Sequence, residues 1–98
     1  MAEAISELYG YELKIKIPND LLLNGKKICG ILTESSTING ILNHILIGIG
    51  FNVNEEVFNE ETVNIATSLK KEYHKNFSRE EIIIKFIEIF EKKIEFMM

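Results

Sequence analysis

Apolar positions recur along this chain with two different periods, and the switches between them lay out its elements. From residue 2 to residue 9, Ala4, Ile5, Leu8 and Tyr9 share one helical stripe, and Gly10 supplies a stop. From Glu12 to Ile17 the period drops to two. Leu13, Ile15 and Ile17 alternate with Glu12, Lys14 and Lys16, the pattern of a half-buried strand, and Pro18 ends its pairing. Strands are predicted over 20–24 and 26–38 around Asn24-Gly25, and over 41–53 after a second pair, Asn39-Gly40. A type I′ turn needs positive φ at two consecutive residues, which Asn-Gly supplies. Residues 53–61 are polar and irregular and read as a loop. Val63, Ala66, Leu69, Lys70 and Tyr73 return to helical spacing and predict a helix over 62–74. Ser78 and Glu81 form a capping box before a long helix, 78–96, whose Ile83, Phe86, Ile87, Phe90 and Ile94 make a broad apolar stripe expected to be core. The fold class is α+β: an antiparallel sheet of about four strands (12–17, 20–24, 26–38, 41–53), with the helices packed on one face.

Composition narrows the function more than the fold. With 98 residues, 46% hydrophobic and 27% charged, the chain suits one domain, 1–98. Net charge is −4 and the lysines lie among glutamates, so no basic face for nucleic acid is expected. Cys29 is the single cysteine, which excludes an internal disulfide and fits a cytoplasmic setting. No apolar run is long enough to span a membrane, and the first ten residues do not read as a signal peptide. His44 and His74 read as surface and helix-end residues, and Cys29 as a small strand residue without an activating partner.

Hairpin register then brings candidate chemistry together. A two-residue turn at Asn24-Gly25 sets Leu22 opposite Lys27 and Asp20 opposite Cys29, so Asp20 and Lys27 become diagonal neighbours on one face. The same count around Asn39-Gly40 sets Ile31 opposite Gly48, Cys29 opposite Gly50 and Lys27 opposite Asn52. Gly30 is expected on the other face. Taken singly, the features have plainer readings. A lysine–aspartate pair is commonly solvated, strand glycines commonly mark bulges, and Asn52 ends a strand. Their meeting on one face is what makes Asp20, Lys27 and Asn52, around Gly48 and Gly50, a candidate site.

The series KxPND, an Asn-Gly turn, KKICGIL, GIGFNVN and ATSL resembles the catalytic domain of biotin–protein ligases, and nearly the whole chain follows that family's order and spacing. The resemblance implies the C-terminal half of a class II synthetase-like catalytic domain. By the same resemblance, the upstream Gly/Arg-rich adenylate loop and the C-terminal small β-barrel are expected to be missing. It implies ligase activity: ATP-dependent activation of biotin to biotinoyl-adenylate, then transfer to a lysine of a biotin carboxyl carrier domain, incomplete in this chain alone. Lys27 and Asp20 match the family's catalytic positions. Lys16, Asn19, Lys27, Gly30, Ile31, Leu32, Gly48, Gly50 and Asn52 match positions around biotin and adenylate, and Asp20 is matched to Mg2+ held through phosphates. The family has tryptophan where this chain has Ile17. The alternative is a non-catalytic association or weak nucleotide-binding module. In either case an exposed sheet edge is expected to pair, as a homodimer or with a complementing N-terminal half.

Overall fold

The computed structural model describes residues 1–97. Its elements, in chain order, are helix α1 (Ala2–Tyr9), strands β1 (Lys14–Lys16), β2 (Asp20–Leu23), β3 (Lys26–Ile38) and β4 (Ile41–Phe51), then helices α2 (Leu69–Tyr73) and α3 (Arg79–Met97). The four strands form one antiparallel sheet in sequence order, so β4 lies at its edge. Both Asn-Gly turns form as expected, with φ of 52° and 78° at Asn24-Gly25 and 53° and 78° at Asn39-Gly40. Gly10 closes α1 in the left-handed region at φ 74°, its N–H bonded to the Ser6 carbonyl.

The core lies between the sheet and the helices. Ile5 of α1, Leu21 and Leu23 of β2, Ile28 and Cys29 of β3, Leu69 of α2 and Ile82 of α3 are all buried in one cluster. Ile28 and Cys29 are neighbours in sequence, yet both are buried, at 0% and 1% exposure. In a regular strand they would face opposite ways. A β-bulge resolves the conflict, since Leu22 pairs with Lys27 while Leu21 pairs with Cys29, which leaves Ile28 as the extra residue.

That bulge corrects the register expected from turn counting. Asp20 pairs with Gly30 rather than Cys29, and Gly30 shares a face with Asp20 and Lys27. A second shift at Ser36/Thr37 moves β3 against β4 by one residue. Cys29 therefore faces Phe51 instead of Gly50, Gly30 faces Gly50, and Leu32, not Ile31, faces Gly48. Lys27 is not opposite Asn52. Its second neighbour is Ala66, which runs parallel to it, with the Lys27 N–H bonded to the Ile65 carbonyl at 2.8 Å.

Other expectations change in extent. The strand over 12–17 is regular only at Lys14–Lys16, and β4 stops at Phe51. The helix over 62–74 shortens to Leu69–Tyr73, because residues 65–67 are drawn extended along Lys27 and Ser68 caps the helix, accepting from the Lys71 N–H at 3.0 Å. Ser78 accepts from the Glu81 N–H as a cap should, but its hydroxyl meets Glu80 at 3.4 Å. The apolar stripe of α3 is mostly uncovered. Ile82 is buried, whereas Ile83, Ile87, Phe90 and Ile94 are between 38% and 51% exposed, because α3 packs on α1 and the body offers nothing more to cover it.

Candidate active site

The sheet face away from the helices carries Asp20, Lys27, Gly30, Leu32, Gly48 and Gly50. Lys27 Nζ lies 3.2 Å from Asp20 Oδ1, with the two side chains 51% and 31% exposed. A pair this wet contributes under about 1 kcal/mol to folding, so stability does not account for it. Beneath the ammonium sits Gly30, where an added Cβ would stand 3.3 Å from both Lys27 Cε and Nζ. At Gly48 and Gly50 a Cβ would meet nothing nearer than 3.8 Å. Neither has positive φ, and neither is crowded, so what these two glycines provide is a bare floor.

Lys27 stands on a ridge between two open hollows. One, of about 580 Å³, is lined by Asn19, Asp20, Gly30, Leu32 and Gly48 among others. The other, of about 480 Å³, holds Asn52, Glu55, Ala66 and Arg79. Lys27, Gly30 and Gly50 border both. The bulge makes this arrangement, because it turns Lys27 and Gly30 to the same side although they are an odd number of positions, three, apart. Of the site residues read from sequence, all but Lys16 line one hollow or the other. Lys16 is exposed in β1, its Cα paired with Asp20. Ile31 borders the first hollow while packing against the core.

Asn52 is held from several directions. Its Nδ2 donates to the Thr67 carbonyl at 3.2 Å, its N–H to the Ile28 carbonyl at 2.9 Å, and its carbonyl accepts from the Leu69 N–H. Cys29 faces the core, and burial pushes its thiol up to about 11, which removes it as a nucleophile.

Two lining residues escaped sequence reasoning. Glu55 lies in the polar stretch 53–61 that reads as a loop, yet it meets Arg79 at 3.6 Å where both line the second hollow. Arg79 is the chain's sole arginine, and that was the available signal. Among the described residues no three His, Cys, Asp or Glu side chains cluster to hold a metal ion.

Comparisons with known proteins point to one family. The profile of the Biotin/lipoate A/B protein ligase family matches residues 1–52. The bifunctional ligase/repressor BirA of Bacillus subtilis is 39% identical over 95 residues, which are 95% of this chain and 29% of that protein. The biotin–[acetyl-CoA-carboxylase] ligase of Paracoccus denitrificans is 51% identical over 41 residues, 42% of this chain and 17% of that one. Biotin protein ligase of Aquifex aeolicus, solved without ligand, superposes with a TM-score of 0.81 at 29% identity, covering 96% of this chain and 40% of its own. The same enzyme solved with biotin and ATP superposes at 0.78 with 30% identity, covering 96% and 38%. The chain thus spans less than half the length of these relatives, and by profile, sequence and fold it belongs to the biotin/lipoate A/B protein ligase family.

Proposed function

We propose that the Lys27 face is one wall of a biotin-activating site. The single observation that carries this is the position of Lys27 on the ridge between two hollows, paired with Asp20 over a floor of glycines. The hollow beside Asn19, Leu32 and Gly48 takes the biotin, and that beside Asn52 and Arg79 takes the adenosine. The lysine ammonium then reaches the point where carboxylate and α-phosphate meet. Attack of the biotin carboxylate on that phosphorus displaces pyrophosphate, and a carrier lysine amine later attacks the acyl carbon and releases AMP. A fixed cation at that point stabilises charge that develops in both steps. Asp20 orients the cation. It would also offer a carboxylate to a Mg2+ carried on the nucleotide phosphates, which keeps several waters of its own.

The Aquifex relative was solved with biotin and ATP, which supports this choice of ligands. Because the chain spans 29% of the Bacillus relative, complete ligation is assigned to this wall together with a second one. Titration of a non-hydrolysable biotinoyl-adenylate analogue, followed by amide chemical shifts, tests the reading. Shifts should centre on Lys27, Gly30, Gly50 and Asn52, and Lys27→Ala should weaken binding by about tenfold or more, the weight of a hydrogen bond to a charged group. Absence of binding, or shifts confined to the helices, would overturn it.

A further inference from the structure

The hydrogen bonds behind Lys27 and Asn52 converge on a carboxylate that the proposed chemistry does not use. Glu72 of α2 accepts from Asn24 Nδ2 at 2.8 Å through Oε1 and from Thr67 Oγ1 at 2.6 Å through Oε2. Asn24 is the first of the two left-handed residues of the β2–β3 turn, three positions before Lys27. Thr67 is fully buried, its N–H donates to the Lys27 carbonyl at 2.9 Å, and its own carbonyl accepts Asn52 Nδ2 at 3.2 Å. One side chain therefore ties the turn that leads into the lysine to the segment that holds the lysine backbone and the asparagine amide. The two bonds use different oxygens of the same carboxylate, an arrangement that a protonated acid cannot keep in full.

We propose that Glu72 is a positioning residue of this site: without touching either ligand, its carboxylate fixes the separation between Lys27 on the ridge and Asn52 in the second hollow. The proposal rests on the reading of the Lys27 face as a biotinoyl-adenylate site. The groups facing Glu72 favour its ionised form. Hydrogen bonds from Asn24 and then Thr67 hold it below the ordinary glutamate value of 4.5 against the opposing effect of burial, and Lys26 and Lys71 add attraction. Burial, then Tyr11 and the Glu72 charge, push the neighbouring Tyr73 phenol up.

The experiment compares the full wild-type chain with Glu72→Ala and Glu72→Gln by amide exchange and by titration of the same analogue. In Glu72→Ala, exchange at the Thr67 N–H and the Asn52 side-chain amide should rise, and analogue affinity should fall, each by about tenfold, the weight of one hydrogen bond to a charged group. Glu72→Gln keeps one acceptor and should fall between. A lowered value means the wild-type contribution is whole above 4.5 and fades as pH falls through the folded value, so wild-type affinity should drop there more steeply than that of Glu72→Ala. A purely structural role would shift stability and leave that profile unchanged. Unaltered exchange at Thr67 and Asn52 in Glu72→Ala would overturn the proposal whether or not the analogue binds. Failure of the wild type to bind, with exchange still responding, would instead overturn the reading of the site and leave Glu72 as the tie between these segments.

Discussion

Gly30 shows how much of the site rests on a single missing atom. No positive φ requires glycine there, and the turn is five residues away. What a methyl group would meet is the end of Lys27, at 3.3 Å, with Asp20 Oδ1 at 3.9 Å. The lysine is half-exposed and can swing outward, so Gly30→Ala should fold with a stability change within about 0.5 kcal/mol, as for an ordinary surface substitution. The added methyl should push the ammonium outward by a few tenths of an ångström and cover the bare backbone beneath it. Analogue affinity should therefore fall in Gly30→Ala while the melting temperature barely moves. Affinity equal to wild type would show that the bare backbone at Gly30 is not used by ligand.

At the scale of elements, the legible parts were those governed by local chemistry. Both Asn-Gly turns, the Gly10 stop and the strand 26–38 followed from φ preferences and alternation, and Leu22 opposite Lys27 followed from the turn. The two bulges were not legible. A bulge answers to which residues the core can accept, here Ile28 and Cys29 together, and that is a tertiary demand without a mark in the strand's own sequence. The shortened α2 has the same origin, because residues 65–67 surrender helical spacing to run beside Lys27. Ser68 is where the chain returns to helix. It is fully buried, accepts from the Lys71 N–H, and donates to the Glu55 carbonyl. Losing an N-cap costs about 1 kcal/mol and losing the buried hydroxyl's own bond to the Glu55 carbonyl adds a similar amount, so Ser68→Ala should lower unfolding free energy by about 2 kcal/mol. A urea midpoint equal to wild type would show that the cap does not hold this junction.

For the molecule as a whole, the decisive feature is what the β3–β4 hairpin leaves uncovered. β4 carries no Asp, Glu, Lys or Arg over its eleven residues, and Leu46 on one face and Leu42, Ile45 and Ile47 on the other are between 46% and 59% exposed. Aliphatic residues on both faces are the pattern of a strand buried on both sides. Edge strands that stay single are normally guarded by charge, proline or a twist. The solved Aquifex chains are matched over only about 40% of their length, so a ligase of that size has further polypeptide available for burial. In a solution holding this chain alone, a second copy is the one partner on offer. Two β4 strands about a two-fold axis can continue the sheet antiparallel, with self-complementary apolar edges. Sedimentation at micromolar to millimolar concentration should therefore show association, together with binding of an apolar dye. Ile45→Lys combined with Leu46→Lys places a charge on each face at positions already half-exposed, so it should return the chain to monomer with little change in melting temperature. A wild-type chain that stays monomeric and binds no dye would contradict pairing through β4. A double variant that still associates would move the interface to the uncovered stripe of α3.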